Sequence, residues 1–256
     1  MSTHYFSRVR LERDRVPLGA LAELFASGHP GHTLAWKFFG DHASRERDFI
    51  FRTEQSDEAI TLYTVSSREP EPWEDYADLI SKPYAPVLEP EMLFEFRLLV
   101  NPNVSAPARE QGKRGKKVDA IMHAKHILYN DEARPIWLAQ AFDGLQEEGI
   151  IDANASNRSD MIRDHDAFVQ ACGVAWLQKR GTSAGFQVSN QHTTVTGYGQ
   201  QRFAKRPRSK KTVQFSSFEA SGVLQVTDPA IFLNTLYNGI GSAKAYGNGL
   251  MMIKPL

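Results

Sequence analysis

Ser81-Lys82-Pro83-Tyr84-Ala85-Pro86-Val87-Leu88-Glu89-Pro90 carries three prolines in ten residues. Proline fixes φ and has no amide donor, so so dense a stretch reads as a connection between packed units. On its N-terminal side, Tyr5, Ser7, Val9 and Leu11 alternate with Arg8 and Arg10, the period of a strand with one face on a core. A helical pattern follows over residues 18–26, Ser27-Gly28-His29-Pro30-Gly31 interrupts it, and residues 32–39 resume with Leu34, Ala35, Phe38 and Phe39 at helical spacing. Residues 48–54 (DFIFRTE) and 59–66 (AITLYTVS) read as two strands joined by a polar turn. The order before the prolines is β, α, β, β.

Beyond the prolines the order repeats. Residues 92–100 (MLFEFRLLV) form a strand stopped by Asn101-Pro102-Asn103, and helical patterns run over 119–128 and 166–179. Strands follow at about 185–196 and 212–227, the latter with an expected turn at Ala220-Ser221-Gly222. Asp228 before Pro229 is an N-cap followed by proline at the first helical position, opening a helix through Leu236. A last strand covers 249–254. This is βαββαβ with one long insertion at about 121–165. The predicted fold is α+β, with two tandem ferredoxin-like units over 1–88 and 89–256 and a helical insertion in the second.

The 256 residues include 30 basic and 30 acidic side chains, for a net charge of zero. Apolar runs as short as Leu250-Met251-Met252-Ile253 predict no membrane-spanning helix. The first fifteen residues hold four arginines and no apolar core, unlike a secretory signal. The single cysteine, Cys172, permits neither an internal disulfide nor a thiolate zinc cage, and lies among Ala171, Val174 and Ala175 as a core residue does. A cytoplasmic protein is expected. The neutral total hides local asymmetry: residues 202–211 (RFAKRPRSKK) are six-tenths basic with no acid, and 109–117 (REQGKRGKK) hold five basic residues against Glu110. Such runs are either solvated loops or contacts to a phosphate backbone, where they release counterions.

Residues 239–250 pack Gly239, Gly241, Gly247 and Gly249 around Ser242 and Lys244. The lysine is flanked by alanines, so this is no Walker loop, and a helix, not a strand, precedes it, so it is no dinucleotide fingerprint. Two readings stay open: a tight structural turn, or an anion-binding concavity of successive amides beside a lysine.

The run NGIGSAKAYGNGLMMIKPL (238–256) resembles the terminal signature of the CRISPR RNA-processing endoribonuclease of the type I-E Cascade complex, the CasE family. Four further stretches are similar and stand in family order: YFSRVRL (5–11), FRLLVNP (96–102), AWLQKRG (175–181) and SGVLQVTDP (221–229). Outside the insertion the likeness spans most of the chain. Processing enzymes of type IV systems, which also carry added helices, are the neighbouring group.

The resemblance implies two ferredoxin-like domains and metal-independent cleavage of a repeat hairpin at the base of its stem, with no cofactor. The 2′-hydroxyl attacks the phosphate and leaves a 2′,3′-cyclic phosphate and a 5′-hydroxyl. That chemistry needs a proton acceptor, a proton donor and positive charge near the phosphate. By resemblance the catalytic residues are His32, in the place of the family's histidine, His29, an imidazole able to do acid–base work where some members carry tyrosine, and Lys37, in a lysine position. Arg202, Lys205, Arg206, Arg208, Lys210 and Lys211 match a basic hairpin that lies in the groove of the RNA stem. Gly239, Gly241, Ser242, Lys244, Gly247 and Gly249 are the companion phosphate contact. The expected partners are repeat RNA, before and after processing, and other subunits of a CRISPR effector complex. The rivals are a non-catalytic hairpin-binding subunit and, third, a metal-dependent hydrolase. His29 and His32 alone suit zinc poorly, because the pair straddles Pro30-Gly31 with no cysteine nearby.

Overall fold

The computed structural model describes residues 3–26, 29–40, 47–106, 115–130, 132–204 and 212–256. The N-terminal half comprises β1 (Tyr5–Glu12), α1 (Leu18–Ala26), α2 (Pro30–Phe39), β2 (Phe49–Gln55), β3 (Ala59–Ser66) and β4 (Ala77–Pro83). Its strands form one antiparallel sheet in the order β2-β3-β1-β4. The alternation read in β1 holds: Ser7, Val9 and Leu11 are buried while Arg8 and Arg10 face the other way. Leu24 of α1 and Leu34, Ala35, Phe38 and Phe39 of α2 pack on Val9, Leu11, Phe49, Phe51, Ile60 and Leu62.

Two features depart from the expected order. The proline stretch begins as strand β4, which pairs with β1 from Leu11↔Ala77 to Tyr5↔Pro83. Its signal is weak because it is an edge strand with little burial, and an edge tolerates Pro83. No helix lies between β3 and β4; instead Arg68 ties the segment down through Asp48 at 2.6 Å and the Phe39 carbonyl.

The second half opens with β5 (Leu93–Val100), a short ribbon of β6 (Asn103–Ser105) and β7 (Lys117–Asp119), then helices α3 (Ala120–Tyr129) and α4 (Ile136–Glu147). It continues with α5 (His165–Ala184), β8 (Phe186–Ala204), β9 (Thr212–Val226), α6 (Pro229–Asn238) and β10 (Met251–Pro255). The sheet order is β10-β5-β9-β8, again antiparallel throughout. Trp176 of α5 and Phe232 and Leu236 of α6 fill its core with Phe186 and Phe218. α3 and α4 build a further layer on α5, where Ile121, Ile127, Leu138, Phe142 and Leu145 meet Phe168 and the buried Cys172.

The expected turn at Ala220-Ser221-Gly222 is a correction: β9 runs straight through it, paired with both β5 and β8. Gly222 has φ 147° because β8 bulges against it, where a Cβ would stand 1.9 Å from the His192 carbonyl oxygen. The glycine answers close backbone approach, not chain reversal. β8 also continues past its expected end, forming a ladder with β9 out to Ala204↔Thr212.

The halves meet along an apolar strip of Ile50, Val65 and Leu250 bordered by Phe6, Tyr84, Tyr237 and Met252. Beside it, Arg52 of β2, its side chain only 4% exposed, lies 3.0 Å from Glu54 and 3.0 Å from Glu219 of β9. Arg97 of β5 joins Glu219 at 2.9 Å. This ion cluster fixes β2, and with it α2, against the second sheet.

Candidate active site

α2 starts where Pro30 fits its first turn and His29 caps it: His29 Nδ1 accepts the His32 amide at 3.2 Å. This places His32 one turn into the helix, facing the segment that follows α6. That segment closes on itself. Ile240 N donates to the Gly249 carbonyl at 2.9 Å and Gly249 N to the Leu99 carbonyl at 2.7 Å. Gly249, at φ 92°, has the Ile240 oxygen 2.4 Å from where a Cβ would sit, so the glycine serves loop closure. Ser242 is turned inward, its Oγ donating to Asn101 Oδ1 at 2.9 Å. The 3₁₀ turn Lys244–Tyr246 is the part that reaches α2.

The contact is specific. His32 Nδ1 lies 2.9 Å from the Ala245 carbonyl oxygen. A carbonyl only accepts, so the hydrogen bond assigns the proton to Nδ1 and leaves Nε2 of the neutral ring unprotonated. Burial lowers the pKa of His32, the Ala245 carbonyl opposes it, and the charge of Arg47 lowers it further. His32 is thus held neutral, in the form that takes a proton.

His29 sits in an aromatic enclosure, with ring centroids 5.3 Å from Phe203, 5.4 Å from Tyr246 and 6.4 Å from Phe51. Burial, then the neighbouring His32, lower its pKa, and a hydrogen bond to the Tyr246 main chain opposes them. Lys37, the third expected catalytic residue, is not with the histidines. Its Nζ pairs with Glu23 at 2.9 Å and lies 5.2 Å over the Trp73 ring, because five residues along a helix is about 140° round it from His32.

The positive charge near His32 comes from elsewhere. Lys244 Nζ donates to the Asn238 carbonyl at 2.7 Å, and burial followed by Arg47 depresses its pKa. Arg47 acts electrostatically on both His32 and Lys244. Sequence reasoning missed Arg47, which stands in the charge-balanced run Arg45-Glu46-Arg47-Asp48. It also missed Tyr246, hidden in a loop read for its glycines.

Arg202 is exposed near the end of β8, opposite Gln214. Lys205, Arg206, Arg208, Lys210 and Lys211 lie outside the described residues, as does most of the 109–117 run. The root of the hairpin that carries them rests on the site: Phe203 is 5.0 Å and Phe215 5.5 Å from the Tyr246 ring. Among the described residues no group of three or more His, Cys, Asp and Glu side chains is placed to hold a metal ion, and no helix is long and apolar enough to cross a membrane.

An imidazole bonded through Nδ1 to a main-chain carbonyl, within the field of Arg47, is a group able to accept a proton. The chain belongs to the CRISPR-associated protein family, whose model matches residues 4–255. No curated protein sequence matches it. Among solved structures it is similar to Thermus thermophilus Cse3 bound to an RNA representing a pre-cleavage complex, at 20% identity and TM-score 0.63, covering 99% of this chain and 100% of that one. A CRISPR endoribonuclease Cse3 bound to a 19-nucleotide RNA matches at 20% identity and TM-score 0.61 with the same coverage. Cas6e from Escherichia coli K-12 matches at 19% identity and TM-score 0.56, covering 98% and 100%. The fold is the mixed α/β architecture of these proteins.

Proposed function

We propose that the protein is a CRISPR repeat-specific endoribonuclease that cuts precursor RNA at the base of the repeat hairpin without a metal ion. The observation that carries this reading is His32, with Nδ1 bonded to Ala245 and Nε2 therefore unprotonated, at the root of the basic hairpin. His32 Nε2 takes the proton of the ribose 2′-hydroxyl, the 2′-oxygen bonds to phosphorus, and the bond from phosphorus to the 5′-oxygen breaks. The 5′-oxygen takes a proton from solvent and leaves as a hydroxyl, His32 returns its proton to solvent, and the cyclic phosphate keeps one negative charge. Lys244 and Arg47 offset the charge that builds on the phosphate oxygens. Arg202 and the basic residues after it hold the stem by its phosphates and shape, since the A-form major groove is too narrow for side chains to read.

The same reading makes the halves two domains, 1–88 and 89–256, each a variant of the ferredoxin-like unit. Its support is the strand order: β9 lies between β5 and β8, and β3 between β1 and β2, as a split βαβ unit requires. The N-terminal unit lacks the second helix. The protein works in the cytoplasm, keeps its product hairpin, and becomes a subunit of a CRISPR effector complex, of the kind for which a Cascade is the model.

The test is incubation with the protein's own repeat RNA in excess chelator. Cleavage to a 2′,3′-cyclic phosphate is expected; binding without cleavage makes the protein a passive hairpin-binding subunit, and cleavage lost to the chelator makes it a metal-dependent hydrolase.

A further inference from the structure

We infer that His29 is a positioning residue, not a proton carrier: its imidazole caps α2 on the amide of His32 and so fixes the ring that does the chemistry. This rests on the proposed function for its kinetic consequence, but its geometric content stands apart from it. Pro30, at the first helical position, has no amide hydrogen, so the early donors of α2 are the amides after it. The His32 amide finds two acceptors on His29, Nδ1 at 3.2 Å and the carbonyl at 3.1 Å. A ring nitrogen that accepts an amide hydrogen carries no proton. Nδ1 of His29 is therefore committed to the helix start, whereas Nδ1 of His32 faces the Ala245 carbonyl.

The ring is also held sideways. Phe203 from β8, Phe51 from β2 and Tyr246 from the 3₁₀ turn surround it, so one side chain joins the catalytic helix, the hairpin root and the loop that receives His32. A small cap such as serine would bond the amide without reaching these rings. Histidine does both. Losing the cap frees the start of α2 and lets the His32 ring drift from the Ala245 carbonyl, which slows the chemical step and leaves stem affinity unchanged.

The experiment compares His29→Asn with His29→Phe in single-turnover cleavage of the repeat hairpin at saturating protein. Asparagine is a first-rank cap without an acid–base group, and phenylalanine fills the enclosure without an acceptor. His29→Asn is expected to stay within about threefold of wild type, and His29→Phe to fall by roughly three- to thirtyfold, the range that loss of a cap spans as an equilibrium factor. A fall of about 10² or more in His29→Asn, reversed on a substrate whose 5′-leaving oxygen is replaced by sulfur, overturns the inference, because such a leaving group needs no proton donor. The ¹⁵N spectrum of the wild-type imidazoles, without RNA, gives a second reading that depends on neither variant's folding. A neutral His29 with unprotonated Nδ1 coupled to the His32 amide is expected, and a protonated Nδ1 overturns it. Wild-type protein inert toward repeat RNA but showing this spectrum refutes the proposed function alone.

Discussion

Replacing Glu219 with alanine removes the carboxylate that ties β9 to Arg52 of β2. Arg52 is 4% exposed and holds two carboxylates at 3.0 Å, while Glu219 is 30% exposed and also serves the half-exposed Arg97. Stripping one partner from a fully buried pair costs about 3–5 kcal/mol, because a charge is left desolvated and unpaired. Here Glu54 remains, and water reaches the Glu219 side, so about 2 kcal/mol is the reasoned loss. For a chain of this size each kcal/mol moves the midpoint by about 2–4 °C, so Tm should fall by roughly 4–8 °C. Arg97→Gln is the internal control: its side chain is 53% exposed, and a pair so open to solvent contributes about 1 kcal/mol or less.

The cluster has a pH signature with a definite sign. Burial raises the pKa of Glu219, but Arg52 and Arg97 outweigh it and hold the group below its ordinary value of 4.5. A carboxylate depressed in the folded state contributes stability that is complete above its unfolded pKa and is lost as pH falls through the folded one. The gap between wild type and Glu219→Ala in calorimetry should therefore be full at neutral pH and narrow below about 4.5. Single-turnover cleavage should fall as well, because the same pair holds α2 against the sheet that carries the Lys244–Tyr246 turn. A variant that melts with the wild type at pH 7, or a gap that widens in acid, refutes the assigned role of the pair.

His32→Ala should slow single-turnover cleavage by roughly 10²–10⁴-fold with hairpin affinity retained, and a 2′-deoxy sugar at the cut should stop the wild type; cleavage of that substrate would falsify attack by the 2′-oxygen. With burial and Arg47 both depressing His32, the rate at limiting RNA should rise with pH along a limb centred below 6.5 and then level off; a limb centred above 6.5 contradicts the neutral imidazole. Lys244→Ala should cost far more cleavage than Lys37→Ala, since Lys37 is paired with Glu23, and equal losses measured side by side would return Lys37 to the phosphate.

Much of the fold was legible because periodicity reports burial. Strand β1 shows its alternation, α2 its apolar face, and the Asp228-Pro229 pair the start of α6. β4 was not, since an edge strand buries too little to leave a pattern, and three prolines nearby argued against a strand at all. Gly222 misled for a related reason. A glycine marks either a turn or a close neighbour, and the neighbour here is His192, thirty positions away.

The site divides along the same line. His29 and His32 were singled out by the family resemblance, and they stand together at one helix start. What gives each its separate character lies far off: the Ala245 carbonyl is 213 residues from His32, and Phe203 and Tyr246 close on His29 from the second half. Lys37 was expected from its match to a lysine position of the family, yet helical geometry turns it to Glu23, while Arg47 and Lys244 enter from other segments. A spacing of residues identifies groups able to carry protons. Which nitrogen is free, and which cation is near, follows from the packing of the two sheets. That packing rests on Ile50, Val65 and Leu250 and on the Arg52–Glu219 pair, so the chemistry proposed for His32 depends on contacts that touch no substrate.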